Sequence, residues 1–392
     1  MRPLSPALPA DLLPLIQAPM AGVQGLRLAL AVSRAGALGS VPAAMLEATA
    51  LDALLQQWQQ AGRPPLNLNF FCHPQPTVDL AAETAWLTLL RPYAEATGVP
   101  LPAAGAPPSR RPFDAEMATL VERHRPPVVS FHFGLPAPEL LARVKRAGCS
   151  VLSSATTVDE GRWLVAHGAD AVIAQGLEAG GHRGHFLIDG PQPPGPAALS
   201  AHLARQAPLA QLLPALRAAL DVPLVAAGGL SDADDLRGAF AAGADGVQLG
   251  TAFLRCDECD TSALHRAALA ERPPRPTVLT RLFSGRPARG MLNRLLHELD
   301  PLHPAAPAFP LASTALAPLR AAAEAAGRDD FSPLWAGTGF AACRAVPVAT
   351  LIDGWRAVLE AGRAAAAGDP AAQVAPPAAP HPAGQPAGQR PR

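Results

Sequence analysis

The chain has 392 residues, 49% of them hydrophobic, enough to bury a substantial core in one large α/β domain with an insertion or in two ordinary domains. Its 32 basic and 32 acidic residues balance, and no basic cluster with interleaved aromatics occurs, which excludes nucleic acid and anionic membranes as electrostatic partners and leaves small-molecule chemistry. Prolines break up residues 1–20 where a secretory signal needs an unbroken apolar core, and the apolar run from Leu28 to Val32 is flanked by Arg27 and Arg34, so neither export nor a membrane span is expected.

In chain order, short apolar segments alternate with amphipathic ones, the pattern of a parallel sheet. Strands are expected over 15–19, 37–41, 66–70, 127–133, 150–154, 170–174, 223–227 and 245–249. The helices between them are expected over 25–35, 45–61, 114–123, 138–147, 158–167, 211–220 and 232–242. Asn69, near the end of the third strand, is a polar residue in an apolar run, which suits a strand end facing a ligand. After it the pattern loosens into a helical segment near 79–97 and a Pro/Gly/Ala stretch from Val99 to Pro108. Beyond Leu254 the alternation stops. Segments 262–271, 280–289 and 313–326 read as an accessory lid over the mouth of the fold, and a helix from Pro347 to about Ala365, apolar at Val348, Leu351, Ile352, Trp355, Val358 and Leu359, packs back on it. Residues 368–392 carry no packing stripe and are expected to be disordered.

HGADAVIAQG (His167 to Gly176) and AGADGVQLG (Ala242 to Gly250) repeat one device: a helix-ending Gly, an Ala-Asp entry, an apolar strand, then Gln and Gly. Repetition of one βα unit builds a (β/α)8 TIM barrel, with ligands at the carboxyl ends where Gln175 and Gln248 sit. No GxGxxG follows the first strand, so a doubly wound dinucleotide fold loses its main support.

The stretch DAVIAQGLEAGGHRGHF, Asp170 to Phe186, ends a buried strand in a glycine-rich loop whose one proton-exchanging side chain near its centre is His182, and it is read as an active site. AAGGLSD and QLGTAF end the seventh and eighth strands with small residues, making Gly228, Gly229, Gly250 and Thr251 candidates to hold a phosphate. With QAPMAGV, where Met20 closes the first strand, they outline a site for a planar cofactor with Asn69 and Gln175 as amide partners; composition does not choose flavin over another phosphorylated ligand. A metal is not expected. No Asp or Glu sits at ligand spacing within HRGH, and the CxxC pair Cys256/Cys259 has no second pair to complete a zinc site. The odd total of five cysteines fits reduced thiols and a cytoplasmic location. His132 is expected to line the pocket, and His167, His202 and His265 to be solvated helix-face residues.

QAPMAGV, NLNFFCH, VSFHFGLP, QGLEAGGHRGHF, AAGGLSD, QLGTAF and FSGRPARG, in this order, closely resemble the bacterial class I nitronate monooxygenases. The resemblance implies a TIM barrel carrying FMN over residues 1–255 with a looser insertion at about 74–112, a lid or substrate domain over 256–340, and a C-terminal helix over 341–367. It implies oxidation of nitronates such as propionate 3-nitronate with O2 to a carbonyl compound and nitrite. Carried over by position, Met20, Asn69, Gln175, Gly180, Gly228, Gly229, Gln248, Leu249, Gly250 and Thr251 would contact FMN, and His182 would be the catalytic histidine, either protonated to attract the nitronate or neutral to take a proton. His132 and Arg281 are the substrate candidates. The chain departs from the family at Arg281, where a lysine is usual, at Thr338, where glutamine is usual, and in having Tyr93 as its only tyrosine; Lys145 is its only lysine. FMN-dependent enoyl or quinone reductases and a non-catalytic phosphate-binding barrel are the alternative readings. Deleting everything after residue 367 is expected to leave melting temperature and flavin content unchanged, since the segment has no apolar periodicity to bury.

Overall fold

The computed structural model describes residues 4–6, 8–77, 79–105, 110–188 and 195–366; the expected disordered tail lies outside them. Eight parallel strands form one sheet in the order β1-β9-β8-β6-β5-β4-β3-β2. They are β1 (Leu15–Gln17), β2 (Gly39–Pro42), β3 (Leu66–Phe71), β4 (Val128–His132), β5 (Ser150–Ala155), β6 (Ala171–Gln175), β8 (Leu224–Ala227) and β9 (Gly246–Leu249). The edges meet: Gln17 N–H donates to Leu38 O and Leu38 N–H to Leu15 O, both at 2.9 Å, so β1 closes on the entry to β2. The eight expected strands are these eight, and the TIM barrel expected from the sequence is the observed fold.

Strands with both faces covered read as continuous apolar runs, which is why they were legible. Ile16, Leu38, Val128, Leu152, Ile173 and Val225 fill the barrel interior, and Leu4, Leu8 and Leu12 pack against them. Nearer the carboxyl ends the buried side chains turn polar, with Asn69, Ser130, Ser154 and Gln175. Polar atoms in a core cost free energy unless they find partners, and these find them in the protein: Asn69 in Ser130, Ser154 in His132, and Gln175 in the backbone of residues 182 and 184.

The outer layer is α1 (Leu26–Arg34), α2 (Ala48–Gln60), α4 (Ala115–His124), α5 (Pro138–Arg146), α6 (Val158–Ala166), α8 (Leu209–Ala219) and α9 (Ala233–Ala241). The sequence repeat has a bonding counterpart. Asp170 N–H donates to Val151 O at 2.8 Å and its Oδ2 accepts from Val151 N–H at 2.8 Å; Asp245 does the same with Leu224, at 2.7 and 2.9 Å. Each aspartate thereby closes the entrance of its own strand onto the preceding one, and each has a cation beside it, Lys145 at 2.9 Å and Arg217 at 3.0 Å.

Above the mouth lies a second packed unit. It comprises α3 (Leu80–Thr97), α11 (Arg294–Glu298), α12 (Ala312–Ala325) and a three-stranded antiparallel sheet, β10 (Thr277–Thr280), β11 (Ala288–Met291) and β7 (Gly181–His182), while α10 (Ala263–Ala270) buries Ala268 and Leu269 in the barrel's own apolar cluster. The looser insertion is part of this lid: Trp86, Leu90 and Tyr93 of α3 share one apolar cluster with Leu282, Phe283, Leu316, Leu319 and Phe331. The sequence reading misses β7 and α7 (Pro196–Ala204), and the single C-terminal helix is two, α13 (Val348–Asp353) and α14 (Arg356–Ala366), parted at Gly354 and Trp355. His202 and His265, expected to be solvated, are 4% and 5% exposed. Among the described residues no helix is long and apolar enough to cross a membrane.

The two strand-entry aspartates differ in burial, their side chains being 4% exposed at Asp245 and 38% at Asp170. Asp245→Ala leaves the Leu224 N–H without its acceptor and removes the ion pair to Arg217, which keeps its bonds to Leu220 O and Val222 O, and should cost about 2–3 kcal/mol. Asp170→Ala, open to water, should cost about 1 kcal/mol. Urea unfolding of the two variants checks the ordering.

Candidate active site

Where the strands end, the barrel opens into a cavity of about 280 Å³. Met20 reaches it from the loop after β1, Asn69 from β3, His132 from β4 and Gln175 from β6. Gly180 and His182 follow on the next loop, Gly228 and Gly229 after β8, and Gln248, Leu249, Gly250 and Thr251 at the end of β9, all lining the same cavity. Arg281 does not line it. Its guanidinium is buried in the lid, donating to Ala306 O at 2.9 Å, while its N–H donates to Pro301 O at 2.9 Å, so the expected substrate contact is corrected to a brace of the 301–306 turn.

His182 is held through its backbone. Its carbonyl accepts from Gln175 Nε2 at 2.9 Å and from His132 Nε2 at 3.1 Å, while Gln175 Oε1 accepts from Gly184 N–H at 2.8 Å. Gln175 therefore uses both ends of its amide to hold the loop. His132 donates through Nε2, so its Nδ1 accepts from Ser154 Oγ at 3.1 Å, and burial pushes its pKa down to about 3. It is a neutral strut. It lines the cavity, as expected, with both ring nitrogens already bonded within the protein.

The His182 ring faces Phe71, Phe133, Phe309 and Trp335 at centroid distances of 6.2, 5.9, 5.3 and 5.7 Å. Its Nε2 lies 2.9 Å from Ser284 Oγ, and that hydroxyl donates to Arg286 O at 3.2 Å. A serine hydroxyl has one proton to give, so the hydrogen-bond pattern assigns the Nε2–H tautomer to His182 and leaves the lone pair on Nδ1. Burial, then the charges of Arg110 and Arg286, hold the imidazole pKa well below its ordinary 6.5. Of the two protonation states expected, the neutral one is favoured.

Close backbone approach shapes the opposite wall. A Cβ on Gly180 would meet Gly337 N at 2.5 Å, and one on Gly228 would meet Ala179 N at 2.9 Å, at a φ of +115° that favours glycine. Among the described residues, the N–H groups of Gly229, Gly250 and Thr251 make no backbone hydrogen bond. Gln248 Oε1 is buried without a partner. Asn69 gives its Nδ2 to Ser130 O and Oγ at 3.2 and 2.9 Å, which leaves its carbonyl oxygen as the acceptor.

Two features escaped the sequence reading. Gln24 caps the loop carrying Met20, accepting from Met20 N–H at 3.0 Å and donating to Ser40 O at 2.5 Å. Arg110 lines the cavity from a segment with no periodicity to mark it, the only sequence signal being an Arg-Arg pair in a sparsely charged loop. Among the described residues no Asp or Glu lines the cavity. Among the described residues no three His, Cys, Asp or Glu side chains group to hold a metal ion, and Cys256 and Cys259 are buried thiols, the first pushed up to about 12 by burial.

The family model described as "Nitronate monooxygenase" matches residues 9–355. The chain belongs to the nitronate monooxygenase family. It is 38% identical to the nitronate monooxygenase of Paraburkholderia phytofirmans over 90% of this chain and 93% of that one, and 39% identical to that of Pseudomonas aeruginosa over 86% and 94%. Among solved structures it is similar to the nitroalkane oxidase of Streptomyces ansochromogenes, with 38% identity, a TM-score of 0.79, and coverage of 93% of this chain and 98% of that one. FabK from Thermotoga maritima, 23% identical at a TM-score of 0.64 over 91% and 95% of the two chains, shares the fold.

This family member carries several depressed histidines: burial lowers His73 and His265 to about 4 and His132 to about 3, against an ordinary 6.5. Below pH 6.5 the unfolded chain binds protons that the folded chain refuses, so stability is full above 6.5 and lost as pH falls toward 4, by up to about 1.4 kcal/mol per pH unit for each group. Urea midpoints at pH 7.5 and pH 5 check this; equal midpoints would contradict it.

Proposed function

We propose that the chain oxidises alkyl nitronates of the propionate 3-nitronate type with O2, giving a carbonyl compound and nitrite, with FMN held at the carboxyl ends of the barrel strands. The observation that carries the reading is the character of the cavity: among the described residues no carboxylate lines it, Arg110 stands at its wall, and it contains a histidine kept neutral. Such a cavity favours an anionic substrate, and the family to which the chain belongs supplies the reaction.

The residues fit FMN. The unbonded N–H groups of Gly229, Gly250 and Thr251 suit a phosphate, and the buried Gln248 Oε1 and the open acceptor of Asn69 suit polar edges of the ring or ribityl chain. Glycine at 180 and 228 keeps the wall where a Cβ would collide, with Met20 and Leu249 beside it. Gln175 contributes by holding the His182 loop. When bound, FMN supplies the redox chemistry, accepting electrons from the substrate and passing them to O2. The chain's own work is to bind and to move a proton. Arg110 draws the anion in, the phenylalanines and Trp335 shield the reacting carbon from water, and Nδ1 of His182 takes the α-proton when the substrate arrives as a neutral nitroalkane. A nitronate arrives already deprotonated and needs no base.

Purified protein should release FMN, consume O2 with propionate 3-nitronate and form nitrite, and its flavin should not bleach with NADH. A colourless folded protein, or NADH bleaching without nitronate turnover, sinks the reading.

His182→Asn should keep FMN, lower kcat/KM for nitronates about 10-fold, and lower any nitroalkane activity by about 10³-fold, the range lost with a general base. Steady-state kinetics on both substrates test it. Gly250→Val should give folded but flavin-poor protein, because a Cβ at 250 already lies 3.2 Å from Ala18 Cβ and 3.4 Å from Met20 Sδ and pushes the Met20 loop. Flavin absorbance per polypeptide is the readout.

A further inference from the structure

We infer that residues 335–343 form a latch at the phosphate end of the flavin site, a strap that the phosphate itself holds down and that lifts for the flavin to leave. This rests on the function proposed above and adds a gate to its cofactor site. The segment WAGTGFAAC, 335–343, runs from the lid, where Met291 N–H donates to Leu334 O at 2.9 Å, to the barrel, where Phe340 and Cys343 are buried in the main apolar cluster. Between those ends it touches the proposed phosphate cradle. Gly337 N–H donates to Thr251 Oγ1 at 3.0 Å, Thr338 N–H to Glu178 O at 3.0 Å, and Cys343 Sγ to Thr251 O at 3.0 Å. Gly337 and Gly339 line the same cavity as Gly229, Gly250 and Thr251.

The strap is one chain thick there: Gly337 is buried against the cavity, and Thr338 beside it is exposed. Neither glycine has a positive φ, so space and not backbone angle selects them. A Cβ on Gly337 would meet Glu178 O at 2.8 Å, and one on Gly339 would meet Gly229 O at 2.8 Å. None of residues 337–339 brings a side chain into the core, so backbone hydrogen bonds and close contact alone hold the stretch down, the low-stability character from which lids are drawn. Thr251 couples it to the ligand. Its hydroxyl oxygen accepts from Gly337 and, among the described residues, its proton has no acceptor, which leaves that proton for a phosphate oxygen beside the unbonded Thr251 N–H. A hydroxyl that gives its proton to an anion becomes a better acceptor, so phosphate and strap tighten each other through one atom, and the coupling runs equally in both directions. A fixed wall would stay down with or without phosphate.

The test follows flavin release and amide exchange in the holoenzyme, Gly337→Ala and Gly339→Ala. FMN release, read from flavin fluorescence after dilution, should be roughly 10- to 100-fold faster in both variants, the loss expected for a charge-assisted hydrogen bond. Thr251→Val should release FMN faster than Thr251→Ser, which keeps the hydroxyl. In the unaltered protein stripped of flavin, hydrogen exchange at 337–343 should slow when FMN is added and should not slow with riboflavin, which has the ring and no phosphate. Unaltered release in both glycine variants would overturn the latch, and so would strap exchange that is the same without flavin as with FMN, or equal slowing by riboflavin and FMN. If the glycine variants do not fold, exchange in the unaltered protein decides alone. If the protein takes up no flavin, the function proposed above fails by itself, and the latch stands or falls on whether inorganic phosphate slows exchange of the strap.

Discussion

A fully buried arginine holds the active-site loop to the barrel. Arg183 is 0% exposed and gives its three nitrogens to Gln206 Oε1, Gly176 O and Gln175 O at 2.8, 2.6 and 2.8 Å. Two of those acceptors are carbonyls at the end of β6, where the ladder stops and backbone groups must find partners elsewhere. Its own N–H donates to Pro287 O at 2.8 Å, tying the same residue to the lid. Burial pulls its pKa down to about 10, yet Glu160 and Glu178 act in the other direction, so it remains a cation. Taking the charge out of water is repaid only by good hydrogen bonds, and each of the three guanidinium nitrogens makes one. The loop must therefore adopt the one path that delivers those carbonyls, and the adjacent His182 is placed as a consequence. Gln175 then fixes the loop from the opposite side, which makes the glycines around it safe: freedom of the backbone is removed by two amphipathic staples, one charged and one neutral.

The barrel was legible in the sequence because its signals are local. A parallel strand covered on both faces has no choice but a continuous apolar run, and the Ala-Asp entry repeats because each aspartate closes the same kind of strand junction. The lid was only partly legible, since its determinants are distant in the chain. Trp86 of α3 donates to Ala312 O at 3.3 Å across 226 positions, and β7 is two residues long, existing only because Ala288 and Arg289 pair with it. No window of sequence contains either relation. The break between α13 and α14 was hidden for the opposite reason: Val348, Leu351, Ile352, Trp355, Val358 and Leu359 are all buried, so the apolar stripe runs unbroken across a backbone that is not.

The candidate site divides in the same way. The residues read from strand ends line one cavity because the barrel brings all carboxyl ends to one face, whatever their separation in sequence. Side-chain roles were less legible. His132 and His182 are both histidines in glycine-rich or aromatic surroundings, and nothing in their neighbours along the chain says that one spends both ring nitrogens on Ser154 and a carbonyl while the other keeps a free Nδ1. Arg281, placed in the substrate pocket by analogy with a lysine, faces the lid's own 301–306 turn, and the arginines that line the cavity are Arg110 and Arg320.

That exchange bears on how charge is managed. A single histidine asked both to carry a positive charge for an anion and to accept a proton would need two protonation states at one pH. In the reaction proposed above the tasks sit on separate groups. Arg110 is cationic at any working pH and lines the cavity, while burial, reinforced by the charges of Arg110 and Arg286, keeps His182 neutral with its lone pair on Nδ1. The field that attracts the anion is thus one that guards the base against protonation. An anion beside Arg110 offsets part of that field, so Nδ1 becomes more basic once substrate is in place, while burial still keeps it below an ordinary imidazole. In the reaction proposed above, the histidine is therefore a stronger base with the anion bound than without it.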